Sequence, residues 1–168
     1  MKFNFDRIDY SIASVMSRWG LVILRICLGI IFIWFGLLKP LGFSPAALLV
    51  EATVGWLPFF SPGEWLSLIG WWEVVIGISF LFRRTLRLAI AMLFMQMAGT
   101  FMPLVLLTEV TFQAGRFPYA PTIEGQYIIK NLLIISAALV IGGSVRRDVN
   151  ISPGAVGSNT KKNKMPTN

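Results

Sequence analysis

The stretch Trp19-Gly-Leu-Val-Ile-Leu-Arg-Ile-Cys-Leu-Gly-Ile-Ile-Phe-Ile-Trp-Phe-Gly-Leu-Leu38 carries a single charge, Arg25. A helix of this length rises about 30 Å, the thickness of a bilayer's hydrocarbon core. Three more runs of similar length and polarity follow, at 64–82, 88–107 and 126–145. The reading is an all-α, four-helix transmembrane bundle spanning 19–147. The fourth span is the least regular, because Lys130 and Asn131 sit near one of its ends.

Composition agrees. Mean hydropathy is +0.70 and 55% of the 168 residues are hydrophobic, more than a soluble domain of this size can bury. Net charge is +7. The basic residues cluster at the ends of the apolar runs, which explains them by topology and argues against nucleic acid as a partner. The chain has no histidine and one cysteine, Cys27. An internal disulfide, a Cys-x-x-Cys pair, a Cys/His zinc site, bis-histidine haem and iron–sulfur ligation are thereby excluded, and no metal site is expected. Cys27 reads as a small packing residue.

The segments between the runs are distinct. Residues 1–18 are mixed and polar, too acidic for a signal-peptide leader, and read as an N-terminal segment on the cytoplasmic side. Pro45 opens an apolar stretch over 46–56 with one charge, Glu51. It is too short to span and reads as an interfacial or re-entrant helix in the first outer loop. The second outer loop, 108–125, is rich in turn formers. Residues 148–168 read as a disordered cytoplasmic tail.

Orientation follows from the lysines and arginines. Lys2, Arg7, Arg18, Arg83, Arg84, Arg87, Arg146, Arg147, Lys161, Lys162 and Lys164 flank one side, against Lys39 and Arg116 on the other. Such a bias places both termini in the cytoplasm of an inner (plasma) membrane.

The bundle also contains polar groups where lipid would not tolerate them. Arg25, Glu73, Gln96, Lys130 and Asn131 fall inside the spans. A charge at mid-bilayer costs about 2.5–3.5 kcal/mol on insertion scales, so such groups usually face protein. The spacing Arg25, Gly29, Phe32, Gly36, Lys39 marks one face of the first span. Gly70, Glu73 and Gly77 mark one on the second, with the glycines as packing residues. Depth counted from the helix ends suggests two layers. In the inner one Arg25 pairs with Glu73, bridged by Gln96. In the outer one Lys39, Lys130 and Asn131 surround a ligand site, with Glu64 or Glu124 as counter-charges and Phe32, Trp65 and Tyr127 as an apolar wall. The competing reading is that Arg25 and Lys130 snorkel to headgroups and the network only fixes helix register.

Several segments resemble the DoxX-like family of membrane proteins. The first helix carries an Arg25…Gly29…Phe32…Gly36…Lys39 pattern, and the second carries Gly70-Trp-Trp-Glu73-Val-Val-Ile-Gly77. Gln96-Met-Ala-Gly99-Thr and Glu124-Gly-Gln-Tyr-Ile-Ile-Lys130-Asn131 continue it, so the likeness runs over about 18–147. The resemblance implies a four-helix bundle associated with quinone-linked redox complexes or oxidative-stress defence. On that basis the chain is expected to be an accessory or quinone-interacting subunit with redox partner subunits. A quinone is the one cofactor considered, and no catalytic residue is assigned. A small-molecule transporter and a non-catalytic scaffold are the alternatives, and homo-oligomerisation stays open.

Overall fold

The computed structural model describes the backbone of residues 5–147 and the side chains of 7–145. The tail at 148–168 and residues 1–4 lie outside the described residues. The chain is all-helical: α1 Phe5–Leu38, α2 Ala47–Val54, α3 Pro62–Leu81, a 3-10 turn Arg83–Thr85, α4 Leu86–Phe101, α5 Pro103–Leu106, α6 Thr108–Thr111, α7 Ile123–Ile129 and α8 Asn131–Arg147. Four helical stretches, Arg7–Leu38, Pro62–Leu81, Arg83–Leu106 and Ile123–Val145, are long and apolar enough to cross a membrane. The protein is a multi-span membrane protein built as a four-helix bundle, with α2 as a short helix between the first two spans.

The first span runs on beyond its apolar part. Nothing between Phe5 and Trp19 breaks a helix, so α1 continues back to Phe5 and residue 18 marks no boundary in the backbone. Side chains along this extension are exposed, including Ile8, Ile12 and Val15.

Helices α1 and α3 pack closest. A Cβ on Gly36 would stand 2.8 Å from the Gly70 carbonyl oxygen, and one on Gly77 would stand 2.6 Å from that of Gly29. Only glycine admits that approach, which lets the two backbones touch over two turns. The contacts also fix the register. The helices are antiparallel, with Gly36 opposite Gly70 and Gly29 opposite Gly77. In this register α3 begins about two turns beyond the end of α1. The step beside that overhang is occupied by α2. Around this pair the core is made by Leu28, Phe32, Ile76, Phe80, Leu93, Met97, Ala138 and Ile141. Trp34, Leu133 and Leu139 point outward, as lipid-facing side chains do.

Local sequence sets the ends and breaks. Ser61-Pro-Gly-Glu64 forms a capping box at the start of α3, with Pro62 in the first turn. Glu64 Oε2 accepts from the Ser61 backbone N–H and from its hydroxyl, both at 2.8 Å. Its role is to cap α3, which corrects the expectation that it is a counter-charge for the lysines. The third span bends at Met102–Pro103, where proline supplies no N–H and the Met102 N–H turns to Gly99 at 3.2 Å. The fourth span breaks at Lys130. There the Asn131 carboxamide donates to the carbonyls of Tyr127 and Ile128, both at 3.0 Å, and stands in for backbone donors. The loop before it is ordered by an antiparallel bridge between Phe112 and Pro121. Gly125 permits it, since a Cβ would lie 2.0 Å from the Thr111 carbonyl oxygen.

Candidate functional site

The step between α1 and α3 borders a half-open cavity of about 510 Å³. Its walls are apolar for the most part. Phe32 and Phe35 come from α1, Leu49 and Val50 from α2, Ile69 from α3, and Met95 and Met97 from α4. Tyr127, Ile128 and Ile134 close the side formed by α7 and α8. This size and lining suit a small lipophilic molecule.

A polar floor lies at the α1–α3 contact. Lys39 Nζ forms an ion pair with Glu73 Oε2 and also donates to the Phe35 carbonyl at 3.5 Å. The other carboxylate oxygen of Glu73 accepts from Gln96 Nε2 at 3.0 Å. Lys39 is 8% exposed and the Glu73 side chain 14%, so both charges are held away from bulk solvent. Each supplies the partner the other needs in such a place. Three helices therefore meet through one carboxylate.

This arrangement corrects the two-layer expectation. Lys39, not Arg25, is the partner of Glu73. The register is the reason: Glu73 lies level with Gly36, so Lys39 is one turn away while Arg25 is roughly 16 Å along the axis. Depth counted from each helix end misplaced the pair, because α3 overhangs α1. The inner and outer layers collapse into one cluster of Lys39, Glu73 and Gln96.

The remaining candidates separate. Asn131 lines the cavity, but its Nδ2 is engaged by the break in its own helix. Lys130 is exposed and lies over the Tyr127 ring, 5.5 Å from its centroid, outside the cavity wall. Glu124 is exposed in the first turn of α7 and does not line the cavity either. Arg25 is partly buried elsewhere, and its Nε has no hydrogen-bond partner among the described residues.

Other features were not legible as site residues. Trp65 is more than an apolar wall: its indole N–H is buried at the cavity lining without a hydrogen-bond partner among the described residues. It lies on α3 two turns from Glu73, roughly 12 Å along the axis. Gly99 differs from the glycines at the α1–α3 contact. A Cβ there would meet nothing within 4 Å, and the residue lines the cavity, so its small size keeps space open. Helix α2 forms a wall of the cavity, and no periodicity in so short an apolar stretch announces that. The polar hydroxyls nearby are satisfied locally: Thr100 Oγ1 donates to Gln96 at 3.0 Å and Thr53 Oγ1 to Leu49 at 2.6 Å. Among the described residues no group of three or more His, Cys, Asp or Glu converges.

Compared with known proteins, the chain matches no family model, no curated protein and no solved structure. The architecture is that of a four-span helical membrane protein, consistent with a DoxX-like type of fold.

Proposed function

We propose that the cavity binds a lipophilic molecule with a polar head of quinone type, and that the protein serves as an accessory or quinone-interacting subunit in a membrane redox or oxidative-stress system. One observation carries the reading: an apolar cavity whose floor presents the Lys39–Glu73–Gln96 cluster and whose wall holds the Trp65 N–H, which has no hydrogen-bond partner among the described residues. An apolar ring and tail suit the walls. A carbonyl oxygen suits the donors, since Lys39 keeps donor capacity beyond its bond to Glu73 and the indole N–H serves no acceptor among the described residues. The likeness of the Arg25–Lys39 and Gly70–Gly77 segments to DoxX-like proteins supports the redox setting.

The test uses the purified full chain. Lipid extraction should recover quinone at a stoichiometry that survives repeated detergent exchange. A short-chain quinone should quench tryptophan fluorescence saturably, and Trp65→Phe should reduce the amplitude. Absence of both bound quinone and saturable quenching would leave the scaffold reading in possession.

A further inference from the structure

Arg25 stands on α1 one turn before Gly29 and on the same face. Gly29 packs against the end of α3, where a Cβ would meet the Leu81 side chain at 2.6 Å. In the antiparallel register Arg25 is therefore level with the end of α3 and the turn Arg83–Thr85. Its Nε is buried and unpartnered among the described residues. Glu73, the nearest acid on α3, is committed to Lys39 and Gln96. The nearest described acid on α1 is Asp9, roughly 24 Å away along the helix. The α3 carbonyls of Ser79 and the adjacent Phe82 are served by the Thr85 hydroxyl, at 2.8 and 3.2 Å.

The same end of the bundle carries further positive charge. Arg84 lies in the turn and Arg87 in the first turn of α4, both exposed. Arg87, in the first turn of α4, stands at the positive end of that helix's dipole and is better placed with an anion beside it. Guanidinium forks match the paired oxygens of a phosphate. Ile26 and Phe82 are exposed at about the same depth and offer an apolar surface alongside.

We propose that this end of the bundle binds a phosphate oxyanion, with Arg25 as its partly buried ligand and Arg84 and Arg87 as flanking charges. A phosphate ester reaches it as the headgroup of an anionic phospholipid or as a soluble phosphate. In the lipid case the acyl chains lie along Ile26 and Phe82.

The full chain is purified and reconstituted with phosphatidylglycerol and phosphatidylcholine in equal amounts, and retained lipid is counted by native mass spectrometry. The wild type should retain phosphatidylglycerol preferentially. Arg25→Gln should lower that retention about fivefold, the scale of one basic residue at an anionic surface. Arg18→Gln, at an exposed site further along α1, should leave it unchanged. Equal losses in the two variants would show a diffuse field rather than a site and overturn the proposal, as would no preference for phosphatidylglycerol together with no Arg25-dependent binding of phosphate. Should Arg25→Gln not fold, the doubly exposed variant Arg84→Gln/Arg87→Gln carries the test, and unchanged retention there overturns it. Added inorganic phosphate separates the sources. Arg25-dependent retention that resists phosphate supports the lipid headgroup; displacement with Arg25-dependent phosphate binding supports the soluble ion. Arg25-independent binding of both overturns the site.

Discussion

Lys39 and Glu73 are 34 residues apart in sequence and form the ion pair that joins the end of α1 to the middle of α3. Removing one member of a buried pair strands the other, typically at a cost of about 3–5 kcal/mol. Lys39→Met and Glu73→Gln should each lower stability on that scale in a detergent-unfolding assay. The double variant should cost clearly less than the two singles together. Additive losses would show that the pair contributes nothing as a pair.

A second expectation concerns glycines that look alike in sequence. Gly36 faces the Gly70 backbone with no room for a Cβ, while the space beside Gly99 is open. Gly36→Val must push α1 from α3 and should reduce membrane accumulation severely. Gly99→Ala should leave accumulation and unfolding unchanged. Equal tolerance at both positions would contradict the close α1–α3 contact.

The four spans and the short second helix were legible because length and hydropathy alone determine them. The stripes on α1 and α3 were legible too, since period fixes which residues share a face. What one helix cannot show is its height against another. Arg25 and Lys39 share a stripe, and either could have served Glu73 until the glycine contacts set the register. The cavity was hidden for the same reason. It arises from the overhang of α3 and the position of α2, and neither leaves a periodic trace. Asn131 was recognisable as unusual within a span, but a polar side chain serving its own helix break looks in sequence like one awaiting a ligand.

Filling the cavity without touching its charges separates binding from folding. Gly99→Phe projects a ring into the space while Lys39, Glu73 and Gln96 stay intact. Quinone-dependent fluorescence quenching should fall about tenfold or more, the effect of losing roughly 1.4 kcal/mol of affinity. The unfolding midpoint should stay near that of the wild type. Unimpaired quenching in a folded Gly99→Phe variant would place any quinone outside this cavity.

Neighbouring residues at the break in the fourth span should behave in opposite ways. Asn131 supplies two side-chain hydrogen bonds to the carbonyls of Tyr127 and Ile128, at 3.0 Å each, inside a stretch long and apolar enough to cross a membrane. Asn131→Leu removes both donors, and a carbonyl left unsatisfied away from water costs about 1–3 kcal/mol. Lys130 is exposed and its described contact is the Tyr127 ring, 5.5 Å away. Exposed cation–π contacts contribute about 0.5–1 kcal/mol, and Lys130→Met keeps the side-chain length. Asn131→Leu should therefore lower the unfolding midpoint clearly and speed hydrogen exchange over α7. Lys130→Met should shift neither by much. Hydrogen exchange separates the two causes, because loss of the break's hydrogen bonds loosens α7 first while loss of a surface contact leaves it protected. A stable, fully protected Asn131→Leu protein would mean that the helix closes the break with its own backbone and that the carboxamide is dispensable there.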